Sequence, residues 1–345
     1  MKAFLAEAEQ AAHYPAHFLV NGVMAENPEK PERIARLRAG AEAAGCVFAV
    51  PREHGIEPIA AVHTAAYLVF LERAHERWAR IEGASEAVTP NIHPPHRNAG
   101  YPDSVVAQAG FHMSDASCPI GAETWQSALW SAWSAVEAAD AVLGGERQAY
   151  ALCRPPGHHA GPDLAGGFCY LNNAAIAARR LQGRFARIAI LDVDLHHGNG
   201  TQDIFYPDQS VFTVSIHADP ARFYPFFWGY AGERGEGAGI GFNLNLPLTR
   251  GAGDEAFLAA LATAIAAVEA FAPDALVIAL GLDAFEGDPF AGLAVTTPGY
   301  GRIARAIGER LGVPAVLVQE GGYLCDALSD NLAAFLTGFA EARGR

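Results

Sequence analysis

The sequence predicts an α/β fold built on one open, mostly parallel β-sheet sandwiched by helices. Three observations predict it. Strand-like apolar runs alternate with helical patterns along the chain, the order a parallel sheet requires because its crossovers are helices. Four of those runs end abruptly in clusters of His, Asp, Gly and Tyr. With 345 residues, 51% hydrophobic and 36 glycines, the chain can bury a substantial core, so one large domain over residues 1–345 is more natural than two small ones.

The elements follow in order. A helical pattern at 32–44 precedes a segment, about 85–120, rich in Pro, His, Asn and Gly and without sustained periodicity. A loop of that length inside a compact domain is usually functional or disordered. Its His93, His96 and His112 are irregularly spaced and read as solvated loop histidines rather than a metal site. A helix at 127–143 leads to a strand at 149–153, after which Pro155, Pro156 and Gly157 put His158 and His159 on the loop leaving that strand. Then come a helix at 172–182, strands at 187–192 and 211–216, a helix at 254–271, a strand at 275–280, a helix at 298–311, a strand at 314–319 and a helix at 326–340. No internal repeat or low-complexity linker interrupts them.

The polar clusters carry chemistry. Asp194 and His196, in D-V-D-L-H-H-G-N-G-T-Q, stand two apart, so an extended backbone points both side chains the same way. They offer one hard oxygen and one imidazole nitrogen to a single metal, part of an open catalytic zinc site. Taken alone, such a pair is more often a capped turn at a strand end. The adjacent His158 and His159 suit proton transfer near neutral pH, with a structural role also open. Asp283 follows the run ending at Leu280, and a glycine turn after the last strand presents Tyr323. Ligands of open parallel sheets bind beyond the carboxyl ends of the strands, so the four clusters are expected to converge on one edge.

The strings R-P-P-G-H-H, D-V-D-L-H-H-G-N-G-T-Q, G-L-D-A-F-E-G-D-P and E-G-G-Y, with N-P-E-K-P-E-R-I at 27–34 and V-H-T-A-A-Y-L at 62–68, resemble the arginase and histone deacetylase superfamily. The resemblance is to its deacetylase side, particularly the bacterial acetylpolyamine amidohydrolases, and spans nearly the whole chain. It implies the arginase/deacetylase fold and hydrolysis of a linear amide. It implies a zinc ion, with iron(II) as the other candidate, on Asp194, His196 and Asp283. His159 would move the proton, His158 would support the developing charge, and Tyr323 would donate to the oxyanion. Asp192 would back His158, and Asn199 would back His159. Gly167, Phe168 and Tyr224 would line a narrow tunnel, with the Gly167 carbonyl accepting the substrate amide proton. A structural potassium ion would lie at Asp192, His196 and the backbone of Ser215 and Ile216, and the 85–120 insertion would build a homodimer and narrow the mouth.

Two departures bear on the substrate. Mouth glutamates of polyamine-selective relatives align with Val106 and Ser117, so Ser117 stands at a substrate-binding position without a carboxylate, and Asp103, Asp115 or Glu123 are nearby acids. The two-manganese arginase centre needs carboxylates where this chain has Gly198 and Phe285, which favours one metal. The leading expectation is deacetylation of small acetylated amines such as acetylpolyamines. A protein acetyl-lysine deacetylase is the second reading. An inactive binder of acetylated ligands is the third, disfavoured because every candidate catalytic residue is present.

Composition agrees. A formal charge of −14 argues against sequence-independent nucleic-acid binding, which needs cationic neutralisation of phosphates, and favours approach of a polycation. Five scattered cysteines without CxxC spacing read as reduced thiols of a cytoplasmic protein. The first twenty residues carry Glu7, Glu9, His13 and His17 and no apolar core of a signal peptide. The longest apolar stretch, Phe257 to Val268, is short for a membrane span.

Overall fold

In the computed structural model, which describes residues 1–98 and 100–344, the apolar runs lie side by side as parallel strands. Residues 99 and 345, within the expected insertion and at the end of the expected domain, lie outside the described residues. The chain runs β1 (Lys2–Phe4), α1 (Glu7–Ala11), β2 (His17–Val20), β3 (Val23–Glu26), α2 (Glu32–Ala43), β4 (Val47–Ala49), α3 (Glu57–Ala60) and α4 (Ala65–Trp78). It continues through α5 (Val105–His112), α6 (Thr124–Leu143), β5 (Gln148–Ala151), α7 (Asn173–Leu181), β6 (Ile188–Asp192), α8 (Asn199–Phe205) and β7 (Val211–Ala218). It closes with β8 (Asn243–Leu248), α9 (Asp254–Phe271), β9 (Ala275–Leu280), α10 (Thr297–Arg310), β10 (Ala315–Gln319) and α11 (Leu328–Ala342). Eight strands form one sheet in the order β4-β1-β5-β10-β9-β6-β7-β8, every neighbouring pair parallel. β2 and β3 form a separate antiparallel hairpin.

Both faces of the sheet are covered. Successive strand side chains point to opposite faces, so β9 divides its run: Ala275, Val277 and Ala279 pack with α4, α6 and α7. Leu276, Ile278 and Leu280 pack with α2, α9, α10 and α11. Each buried aliphatic side chain contributes about 1.5–3 kcal/mol, which explains why central strands read as continuous apolar runs. The stretch from Phe257 to Val268 is the core of α9, with Phe257, Leu261, Ala264, Ile265 and Val268 buried. Among the described residues no helix is long and apolar enough to cross a membrane, and all five cysteines are unbridged.

The expected helices and strands fall within about three residues of the observed ones, while β1 to β4, β8, α1, α3, the 14-residue α4, α5 and α8 were not expected. β1 and β4 have three residues each, too few to show a period. The 85–120 segment also differs from expectation, because it contains α5, whose Val105, Gln108, Ala109 and His112 are buried. His112 is therefore not a solvated loop histidine. Its Nδ1–H donates to the Asp163 carbonyl at 2.8 Å, and its Nε2 accepts from the Tyr101 hydroxyl at 2.9 Å. His93 and His96 are exposed.

The order β5-β10-β9-β6 positions the site. These four neighbours are the strands whose carboxyl ends carry His158/His159, Tyr323, Asp283 and Asp194/His196.

Candidate active site

β6 ends at Asp192, and the chain turns sharply through Asp194 and His196. The turn is built from carboxylates accepting backbone N–H groups two residues on: Asp192 Oδ1 from Asp194 at 3.0 Å, and Asp194 Oδ1 from His196 at 2.8 Å. Asp283, beyond β9, accepts the Leu195 N–H on Oδ1 at 3.0 Å. Its Oδ2 then lies 3.1 Å from His196 Nδ1, which is also 3.3 Å from Asp194 Oδ1. One donor atom from each of Asp194, His196 and Asp283 lies within 4.8 Å of the others, and all three residues are buried. Two glycines make room. A Cβ at Gly281 would fall 2.1 Å from Asp194 Oδ2, and one at Gly321 would fall 2.3 Å from Asp283 Oδ2.

The electrostatics favour a cation at that point. Burial, aggravated by Asp194, raises the pKa of Asp283. Burial works to lower that of His196, but its bonds to Asp194 and Asp283 carry it up to about 9. Two buried carboxylates facing one imidazole need positive charge between them, because the desolvation cost of each is several kcal/mol. The donor set of two oxygens and one nitrogen fits zinc or iron(II). Position 198 has no room for a further carboxylate, since a Cβ there would sit 2.3 Å from Asp192 Oδ2.

The histidine pair faces this cradle. His158 Nδ1–H donates to Asp192 Oδ2 at 2.9 Å, and its Nε2 lies 3.8 Å from Asp194 Oδ1. Burial opposes its charge, yet Asp194 and Asp192 carry its pKa up to about 10. His159, with its ring centroid 4.0 Å from that of His158, bonds instead to Asn199 Oδ1 at 2.7 Å. Burial first, and then the charges of His158 and His196, hold its pKa well below the usual imidazole value. An amide oxygen only accepts, so His159 carries its proton on Nδ1 and keeps the Nε2 lone pair free.

Tyr323 is buried at 3% exposure, in van der Waals reach of Phe168 and Phe290 with ring centroids at 5.9 and 4.8 Å. Its N–H is fixed by Asp288 Oδ2 at 2.9 Å. Burial and the charge of Asp283 raise its pKa well above the usual phenol value, so the hydroxyl stays a donor. Gly167 and Phe168 form the middle of a tight turn closed by paired bonds between Gly166 and Cys169, with φ of 51° and 67°. Positive φ at both central positions makes this a primed turn, which strains a bulky residue such as Phe168. Phe168 stands with Phe18, Phe290 and Tyr323. Tyr224 stands with His159 and His196, at ring distances of 5.0 and 6.1 Å. The Gly167 carbonyl accepts the Cys169 thiol at 3.4 Å.

Of the two positions aligned with mouth glutamates, Val106 is half-buried and packs against the core, and Ser117 donates its N–H to Asp115 Oδ1 at 2.7 Å. Asp103 and Glu123 are exposed. Asp115 is half-buried, and its Oδ2 accepts from the Tyr224 hydroxyl at 2.7 Å. Of the three nearby acids, it alone is bonded to a candidate tunnel residue.

Sequence reasoning missed the supports. Glu29 and Arg33 stand at i, i+4 spacing, which on a surface would be a minor helix pair, yet both are fully buried. Glu29 Oε1 lies 2.6 Å from Arg33 Nη1 and 2.9 Å from Arg154 Nε. Arg33 Nε donates to the Gly322 carbonyl at 2.6 Å, and its guanidinium lies 5.0 Å from the centre of the Tyr323 ring. Asp192 and Ser215, paired across β6 and β7, line a cavity of about 10 Å³ with Thr201, Gln202 and Thr213; His196 and Ile216 do not line it.

Residues 27–339 match the histone deacetylase domain model. The chain is 49% identical over 337 residues to the acetylpolyamine amidohydrolase of Burkholderia pseudomallei (strain 1710b), covering 97% of this chain and 98% of that one. It is 42% identical over 324 residues to the acetylpolyamine amidohydrolase of Mycoplana ramosa, covering 93% and 95%. The crystal structure of acetylpolyamine aminohydrolase from Burkholderia pseudomallei superposes with a TM-score of 0.95 at 48% identity, over 99% of this chain and 98% of that one.

Proposed function

The chain belongs to the histone deacetylase domain family and is an amidohydrolase, and on that premise we propose that it is a metal-dependent deacetylase of small acetylated amines, acetylpolyamines among them. The observation that carries this reading is the buried three-donor cradle of Asp194, His196 and Asp283 set against a histidine pair whose members have opposite electrostatics. Near relatives named for acetylpolyamines support the substrate class.

Asp194, His196 and Asp283 would hold a zinc or iron(II) ion, which supplies Lewis acidity that polarises the amide carbonyl and acidifies the attacking water. Neutral His159 takes that water's proton on Nε2 and returns it to the leaving amine. His158, held against Asp192, stays cationic beside it and favours the anionic transition state. Tyr323 donates its hydroxyl to the oxyanion, a contribution of about 3 kcal/mol where such donors have been removed. Phe168 and Tyr224 bound a slot for a slender alkyl chain, with Asp115 beside it to receive a distal ammonium group. A potassium ion at Asp192, His196 and the backbone of Ser215 and Ile216, a cytoplasmic location and a homodimer formed through the 85–120 segment complete the reading. Exposed Ile92 and Tyr101 suit such an interface.

The test compares kcat/KM of the zinc-loaded protein on N-acetylputrescine, an acetylated spermidine and an acetyl-lysine peptide. Preference for the small amines is expected. Preference for the peptide would transfer the site to protein deacetylation, and no turnover on any of them would overturn the deacetylase reading for these substrates.

A further inference from the structure

Glu320 immediately follows β10 and is fully buried, with 0% exposure. Burying a carboxyl costs several kcal/mol unless it is bonded, so its place there requires a reason. Its Oε2 accepts two consecutive backbone N–H groups, Gly157 at 2.6 Å and His158 at 3.0 Å, while Oε1 has no hydrogen-bond partner. Gly157 has no side chain to anchor it and no space for one, since a Cβ would fall 2.4 Å from the Asn173 nitrogen. Backbone N–H groups are therefore the available handle on this part of the histidine loop.

The turn that begins at Glu320 is itself tied to the rest of the site. The Glu320 carbonyl accepts from Arg33 Nη2 at 2.8 Å, and Gly321 N–H donates to Asp194 Oδ2 at 2.8 Å. The Gly322 carbonyl accepts from Arg33 Nε at 2.6 Å, and the next residue is Tyr323. One short turn thus touches the cradle carboxylate, carries the hydroxyl donor and grips the loop of the proton-transfer pair.

We infer that Glu320 is a positioning residue: its carboxyl oxygen locks the Gly157–His158 backbone to the turn bearing Tyr323, fixing His158 and His159 relative to the hydroxyl donor. Either protonation state of the carboxyl leaves Oε2 an acceptor. Burial pushes the Glu320 pKa up to about 7, so a neutral glutamine is a fair mimic. A misplacement of about 1 Å between reacting groups costs roughly a hundredfold in rate.

The rate readout rests on the deacetylase reading, whereas a backbone readout does not. Glu320→Ala and Glu320→Gln are prepared as the metal-loaded full chain, and kcat, KM, metal content and amide hydrogen exchange at Gly157 and His158 are measured. Glu320→Ala is expected to lower kcat roughly ten- to a hundredfold, with KM and metal content unchanged and exchange at both amides accelerated. Glu320→Gln is expected to recover most of both. Unchanged exchange and kcat in Glu320→Ala would overturn the inference, as would equal losses in the alanine and glutamine variants. If Glu320→Ala does not fold, Glu320→Asp, which retracts the carboxyl by one methylene, takes its place with the same expectation. If the unmodified protein turns over none of the acetylated amines, exchange at Gly157 and His158 still decides the positioning claim.

Discussion

His159 Nδ1 lies 2.7 Å from the side-chain oxygen of Asn199, whereas the equivalent nitrogen of its neighbour His158 meets a carboxylate, Asp192. The asparagine orients the ring without supplying a counter-charge, so burial and then the charges of His158 and His196 hold the pKa of His159 low. Asn199→Asp is expected to raise it, because a carboxylate beside the ring favours the imidazolium. A base acts in its deprotonated form, so raising its pKa moves the acidic limb of the pH–rate profile to higher pH. An unmoved limb would remove His159 from the role of base.

Tyr323→Phe deletes one hydroxyl from a ring that remains packed by Phe168 and Phe290. Metal content and thermal stability should be retained while kcat falls by about a hundred- to a thousandfold. Turnover within a few fold of the unmodified protein would rule out the oxyanion assignment.

Asp283→Ala removes one of the two carboxylates facing His196. Metal analysis should show less than stoichiometric zinc, and chelator treatment of the unmodified protein should lower Tm, because a ligand bound only to the folded state stabilises it. Full zinc retention in Asp283→Ala would send the search for the third donor elsewhere.

Asp115→Asn keeps an acceptor for the Tyr224 hydroxyl but removes the charge. For an acetylated diamine kcat/KM should fall about tenfold, which corresponds to about 1.4 kcal/mol, whereas a neutral acetamide of the same length should be unaffected. Equal effects on both substrates would show that Asp115 does not read the ammonium.

Glu29→Gln leaves Arg33 and Arg154 buried without their shared counter-charge. Breaking one side of a buried ion network costs about 3–5 kcal/mol, which denaturant unfolding would register as a lower midpoint. An unchanged midpoint would mean that the backbone carbonyls around the two guanidinium groups suffice.

Much of the site was legible because its residues follow directly on long apolar runs. Asp194 and His196 leave β6, Asp283 leaves β9 and Tyr323 leaves the turn after β10, so locating the strands located the chemistry. Several elements were not legible: β1 and β4 have only three residues each, too few to establish an alternation, and the 14-residue α4 was not picked out as a helix. Neither was α5, whose small and polar residues are buried by α4 and not by an apolar stripe of their own. His112 misled for the same reason: irregular spacing suggests a solvated loop, but the Asp163 carbonyl and the Tyr101 hydroxyl satisfy its ring and permit burial.

The sequence by itself determined the α/β architecture, the family and the residue types at the four strand ends, because hydrophobic periodicity and motif order are properties of the chain in one dimension. Tertiary structure decided what lies opposite what. It set His196 Nδ1 between two carboxylates from different strands, buried Glu29 between Arg33 and Arg154, chose Asp115 as the acid at Tyr224, and put the Glu320 carboxyl under the histidine loop. Each of these joins residues far apart in sequence. The strength of a charge–charge contact depends on its distance and on the water excluded around it, and neither quantity exists until the strands are side by side.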